Sequence, residues 1–214
     1  MRRTRIKFCG LTRAEDVQAA VSLGVDAIGL VCYPPSPRSL SVAHLAELGA
    51  LCPPMVTVTA LFVDPDPREV RAVLDTGVVD LLQFHGQEST EFCRQFGRPW
   101  MKALTMHPEL DLTEQMSTYV GARGLLLDAW HPERVGGTGL AFDWSRIPPE
   151  LASHIVLAGG LSAENVGDAL RMVRPWAVDV SSGIESSAGI KDRTRMAAFV
   201  AAVQQEEYND DRSY

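Results

Sequence analysis

Eight short apolar runs, rich in β-branched residues and spaced roughly 20–30 residues apart, constrain this chain more than any other feature. They begin near Arg5 (RIKFC), Asp26 (DAIGLVC), Met55 (MVTVTALFV), Val78 (VVDLLQF), Pro99 (PWMKAL), Arg123 (RGLLLDA), His154 (HIVLAG) and Ala177 (AVDVSS). Several are continuous rather than alternating, the pattern of parallel strands covered on both faces. Their spacing is about that of one strand–helix unit. Helices are predicted over residues 14–23, with Thr12 as the cap and Gly24 as the stop, and over 67–74, with proline in the first turn and Gly77 as the stop. Others are predicted over 162–173, with Glu164 in the first turn, and over 192–207. A weaker helix spans 109–120, and a short one follows Asp143. Eight such units without a linker predict an α/β protein, a (β/α)8 or TIM barrel, as a single domain over residues 1–205. The alternative is a doubly wound open sheet, which usually carries a glycine-rich turn directly after its first strand. Only Cys9-Gly10 stands there. Residues 206–214 are polar and expected to fray.

The formal net charge of −7 argues against a general nucleic-acid binder, whose surface is usually basic. It leaves an anionic small molecule open, because local backbone N–H groups hold a phosphate whatever the global charge. Four cysteines without CxxC spacing do not make a disulfide framework, which implies a reducing, cytoplasmic setting. The basic start is not followed by the apolar segment of a signal peptide. No stretch approaches the ~18 apolar residues of a membrane span. The five histidines show no HxH or HExxH spacing, so no metal is expected.

In a barrel the loops after the strands form the active face, so polar residues at strand ends carry the chemistry. Strand one ends in Cys9. Its thiol is either a base or nucleophile, with a reference pKa of about 8.5, or a small buried hydrophobe. Strand six ends in Asp128, after three leucines. Desolvation there suits a general acid, and a turn cap is the other reading. His85 ends strand four and either orients a substrate or caps a turn. Glycines at Gly159-Gly160 after strand seven, and Asp179-Val180-Ser181-Ser182-Gly183 at strand eight, stand where barrels often bind phosphate. Gly136-Gly137-Thr138-Gly139 has the composition of a mobile cover or of a plain flexible connection. Pro34-Pro35-Ser36-Pro37-Arg38 is a stiffened loop whose arginine suits a carboxylate, although a loop arginine is more often simply solvated.

Taken together, these segments resemble the phosphoribosylanthranilate isomerase family. The resemblance is carried by Lys7-Phe8-Cys9-Gly10-Leu11-Thr12, the Pro34-Pro35-Ser36-Pro37-Arg38 loop, Leu82-Gln83-Phe84-His85-Gly86 and Leu126-Leu127-Asp128. Further along, it is carried by Gly136-Gly137-Thr138-Gly139, Leu157-Ala158-Gly159-Gly160-Leu161, and Val178-Asp179-Val180-Ser181-Ser182-Gly183-Ile184-Glu185 with Gly189-Ile190-Lys191-Asp192. The chain departs at Phe8 and Phe84, and at Leu140, where a lysine is common. The resemblance implies a cofactor-independent Amadori rearrangement of N-(5-phosphoribosyl)anthranilate in tryptophan biosynthesis. It implies Cys9 as base and Asp128 as acid, and Arg38 on the anthranilate carboxylate. Substrate contacts follow at His85, Gly159, Gly160, Asp179, Ser182 and Gly183, the glycine loops holding the phosphate. A monomer or a homodimer is implied, with no nucleic-acid or membrane partner. Two alternatives stand beside it. One is a broader isomerase that also takes a histidine-pathway substrate, for which an aspartate rather than Cys9 is expected on strand one. The other is a non-catalytic phosphate-binding barrel, which would lack the acid or the base.

Overall fold

The computed structural model describes residues 3–129 and 142–211. Eight parallel strands close into a barrel in chain order: β1 (Arg5–Cys9), β2 (Ala27–Val31), β3 (Thr57–Phe62), β4 (Leu81–Phe84), β5 (Trp100–Thr105), β6 (Leu125–Asp128), β7 (Ile155–Leu157) and β8 (Ala177–Val180), with β8 pairing back to β1. The expected single-domain barrel is the fold. Each predicted apolar run coincides with one of these strands, β5 extending one residue beyond its run to Thr105.

Side chains alternate across a strand, and the alternation sorts the core into two layers. One set faces the helices. Phe8 packs edge-on against Phe199 of α7 (Arg193–Asp211), and Phe84 packs against Phe92 and Phe96. The other set fills the barrel in small separate groups. Met101, Ala103, Leu126 and Ala158 form one, and Cys9, Val31 and Leu61 another. Among these interior positions stand buried polar groups, Lys7, Thr59, Gln83, Asp128 and Asp179, which an apolar barrel does not need for packing.

The helices follow local signals where these are strong. α3 (Pro67–Leu74) starts on an Asp66–Glu69 capping box with proline at its head, and Gly77 ends the turn beyond it at φ 75°. α1 (Ala14–Ser22) differs at its start. Arg13, not Thr12, is the cap residue, because the Thr12 hydroxyl donates to the Gly189 carbonyl instead. α6 (Val166–Val173) begins later than predicted. The Asn165 side chain accepts from Ser162 N and donates to Gly160 O, both at 2.9 Å, and so makes a turn of residues 162–165. α5 (Leu112–Thr118) is the core of the weaker predicted helix, and the short one after Asp143 is a 3-10 turn, Trp144–Arg146. Two helices were not predicted, α2 (Val42–Gly49) and α4 (Thr90–Arg94). Nor was the antiparallel hairpin of β9 (Glu185–Ser187) and β10 (Ile190–Lys191). α7 continues to Asp211. Glu206 and Glu207, in the stretch expected to fray, are bonded to Arg171 and to the Thr4 backbone. No helix among the described residues is long and apolar enough to cross a membrane.

Phe84 is fully buried and joins β4 to Phe62, Phe92 and Phe96. Phe84→Ala is expected to cost about 3–5 kcal/mol in urea unfolding, the range for deleting a buried aromatic side chain. A loss below about 1 kcal/mol would contradict this packing role.

Candidate active site

The strand ends converge on one cavity of about 550 Å³. Cys9 closes β1, Asp128 closes β6, His85 follows β4, and Asp179 comes from β8. Gly159, Gly160 and Ser182 line it from the loops after β7 and β8, and Arg38 from the loop after β2. Gly183 does not line the cavity. A Cβ on it would lie 2.0 Å from the Leu161 carbonyl oxygen, so it lets the β8 loop pack directly on the β7 loop. Gly136-Gly137-Thr138-Gly139 and Leu140 lie outside the described residues.

Cys9 sits in a charged corner that its sequence neighbours do not announce. Lys7 lies two residues before it on the same face of β1, and its ammonium pairs with Asp179 Oδ1 at 2.7 Å. Asp179 is the residue directly opposite Lys7 on β8, so barrel closure makes the pair. Burial pulls the Lys7 pKa down, but the charges of Asp179 and Cys9 more than offset it, and the ammonium stays protonated above its ordinary range. Burial pushes the Cys9 thiol up, Lys7 is the largest influence against that rise, Asp179 adds to it, and Lys191 opposes it; the net direction is upward. Opposite Cys9 on β2 stands Gly29. A Cβ there would meet the Cys9 sulfur at 2.6 Å and Lys7 Nζ at 2.9 Å. Both groups therefore occupy space that only glycine leaves.

A second charge cluster stands on the unpredicted hairpin. Glu185 takes the Arg38 guanidinium in a fork, Nε at 2.8 Å and Nη2 at 2.7 Å, and takes Lys191 Nζ at 2.8 Å. Burial raises the Glu185 pKa, but Arg38 and Lys191 more than reverse this and hold it below its ordinary value. Arg38 is thus fixed rather than solvated, with its Nη1 donors unclaimed by Glu185. Its stem lies over Gly10, which is at φ 74°, and a Cβ there would come within 2.4 Å of Arg38 Cδ. Lys191 Nζ also donates to the carbonyls of Cys9 and Ser181, at 2.6 and 3.1 Å, and ties the hairpin to the end of β1.

Across the cavity, Asp128 Oδ1 accepts from the Ala129 backbone at 2.9 Å, which fixes the carboxyl and leaves Oδ2 toward His85. His85 Nε2 is 3.3 Å from that Oδ2 without the alignment of a hydrogen bond, so proximity rather than a formed bond relates them. The turn that follows His85 is braced by a buried pair. Lys102 pairs with Glu88 at 2.8 Å, and Glu88 accepts from the backbone of Gly86 and Asp64. On the β7 side, Gly159 and Gly160 adopt φ of 80° and 68°, and a Cβ on Gly159 would lie 2.2 Å from Ala129 N. The glycines therefore let the chain turn tightly against the Asp128 segment.

Comparison with known proteins follows the same outline. The family model for N-(5'phosphoribosyl)anthranilate (PRA) isomerase matches residues 6–202. A relative from Dechloromonas aromatica, an N-(5'-phosphoribosyl)anthranilate isomerase, is 55% identical over 202 residues, covering 94% of this chain and 97% of that one. The crystal structure of phosphoribosyl anthranilate isomerase from Thermotoga maritima superposes with a TM-score of 0.86 at 35% identity, covering 94% and 99% of the two chains. A structure of such an isomerase in complex with reduced 1-(o-carboxyphenylamino)-1-deoxyribulose 5-phosphate superposes at 0.83 with 34% identity, again over 94% and 99%.

The space at Gly29 is directly testable. Gly29→Ala is expected to cost about 1–3 kcal/mol by overpacking and to displace Cys9 or Lys7, lowering turnover more than tenfold. Gly167→Ala, whose added methyl meets only ordinary contacts, is the control. Equal turnover in the two variants would show that the crowding at Gly29 does not matter.

Proposed function

From the premise that the chain belongs to the N-(5'-phosphoribosyl)anthranilate isomerase family, and so catalyses the Amadori rearrangement of N-(5'-phosphoribosyl)anthranilate in tryptophan biosynthesis, we propose that Cys9 is its general base and Asp128 its general acid. The observation that carries this assignment is their placement. They end β1 and β6, face one cavity, and are separated by two strands one way round the barrel and four the other. Acid and base thus approach a bound sugar from different sides.

The chemistry needs both. Asp128 delivers a proton to the furanose ring oxygen as the C1′–O bond breaks, and the nitrogen lone pair forms an iminium with C1′. The iminium acidifies the C2′–H, so a moderate base suffices. The Cys9 thiolate takes that proton, and the C–H electron pair becomes the C1′–C2′ double bond of an enolamine. Ketonisation places a proton on C1′ and removes one from the C2′ hydroxyl. This gives 1-(2-carboxyphenylamino)-1-deoxyribulose 5-phosphate and returns both groups to their starting states. Each step moves a proton and an electron pair within the substrate, and the acid and base supply every proton transfer.

The same reading distributes the substrate. Its carboxylate meets the Nη1 side of Arg38, which Glu185 holds in place. The phosphate meets the backbone of Gly159, Gly160 and Ser182, with Gly183 shaping the loop behind them. His85 and Asp179 border the sugar between these ends. The 550 Å³ cavity is in the ordinary range for a small-molecule site. Every residue named comes from one chain, so a monomer and a homodimer serve equally. Four free thiols suit a reducing, cytoplasmic setting.

Cys9→Ala and Asp128→Asn are each expected to lower kcat at least ~10²-fold, the lower end of general acid–base contributions, with circular dichroism unchanged. Loss of the anthranilate fluorescence reports turnover. Near-normal kcat in either variant removes that residue from its role. Arg38→Ala is expected to act chiefly on KM. An unchanged KM would mean that the carboxylate is held elsewhere.

A further inference from the structure

We propose that Lys7 is a positioning residue for proton transfer at Cys9, its ammonium clamped by Asp179 and given room by Gly29 so that a fixed positive charge stands beside the thiolate. The inference rests on the reading of Cys9 as the base.

Three observations converge on it. A lysine inside a barrel gives up its hydration, and an apolar pair of similar volume in place of Lys7 and Asp179 would fill the interior without that cost. The pair is therefore poorly explained by stability. Next, the cysteine sulfur and the lysine nitrogen crowd the same point, since a Cβ on Gly29 would touch both. Last, the ammonium is bonded to one carboxylate oxygen at 2.7 Å, which leaves donor hydrogens for the sulfur.

The other charges near Cys9 are differently engaged. Lys191, from β10, spends its donors on the carbonyls of Cys9 and Ser181 and on Glu185. Arg38 is forked onto Glu185. His85 and Asp128 line the same cavity from β4 and β6, with its space between them and the thiol. Asp179 is negative and acts on the thiolate in the unfavourable sense, but it fixes Lys7 and keeps it charged. Among the described residues, Lys7 is the cation with the larger influence on the thiol and with donors left for its sulfur; Lys191 acts in the same sense but its donors are taken. Neutralising it makes the thiol harder to ionise, so the active form appears only at higher pH.

The test is the pH dependence of Cys9 alkylation by iodoacetamide, read by peptide mapping so that Cys32, Cys52 and Cys93 are counted separately. Lys7→Met is expected to raise the Cys9 midpoint by at least about one pH unit, a tenfold loss of thiolate below the midpoint. The acid limb of kcat/KM should move by the same amount, and Lys7→Arg should restore most of it. Where Lys7→Met alone fails to fold for want of a partner to Asp179, the double variant Lys7→Met/Asp179→Leu decides. It should also raise the midpoint, because the pull of Lys7 on the thiol outweighs the push of Asp179. An unmoved midpoint in a folded variant overturns the proposal. Turnover that survives Cys9→Ala overturns the base assignment instead, and the alkylation result then stands apart from it.

Discussion

The buried ion pair of Lys7 and Asp179 lies on the seam where β1 meets β8 and the barrel closes. Much of the site is arranged around it. The pair sets the level at which the interior stops being hydrocarbon and becomes a cavity floor. One turn of the alternation above Lys7 is Cys9, and opposite Cys9 on β2 is the glycine that leaves space for sulfur and nitrogen together. Partly because the pair is buried, its charges are felt strongly by their neighbours, and solvent screens them little.

A second knot of charge, Arg38–Glu185–Lys191, governs the rim. It couples three separate elements: the stiff loop after β2, the hairpin after β8 and the carbonyl end of β1. The hairpin is only a few residues long, yet it carries the carboxylate that fixes Arg38 at the cavity rim. Organising an arginine through a buried carboxylate lowers the entropy lost when an anion arrives. The two clusters meet at Cys9, whose side chain is beside one and whose carbonyl is bonded to the other. The β6 side is quieter, with Asp128 pinned by the next backbone N–H and with the turn after His85 held by Glu88 and Lys102.

The strands were legible because parallel strands buried on both faces leave continuous apolar runs, and α3 because its cap, proline and stop are all local. α4 was not. It is five residues long, too short to show a period although Ser89 caps it, and it is held by Phe92 edge-on to Phe84 and by Phe96, just beyond it, stacked on the same ring. β9 and β10 are too short and too polar to register as strands. At the site, Cys9, Asp128 and His85 stood out because polar residues interrupted apolar strand ends. Lys7 carried a signal of its own, a charge in mid-strand, but its partner is 172 residues away and is known only once the barrel closes. Glu185 and Arg38 are separated by 147 residues in the same way. The sequence exposed the polar residues at the strand ends, and closure added the counter-charges that surround them.

The central claim is that ring opening and C2′ deprotonation are assigned to Asp128 and Cys9 respectively. Stopped-flow fluorescence with substrate deuterated at C2′ separates the two steps. In Cys9→Ser, a poorer base should make proton removal limiting and give a large primary isotope effect. In Asp128→Asn, ring opening should become limiting and hold the effect near one. The opposite pattern, an isotope effect that vanishes in Cys9→Ser and appears in Asp128→Asn, would contradict the assignment.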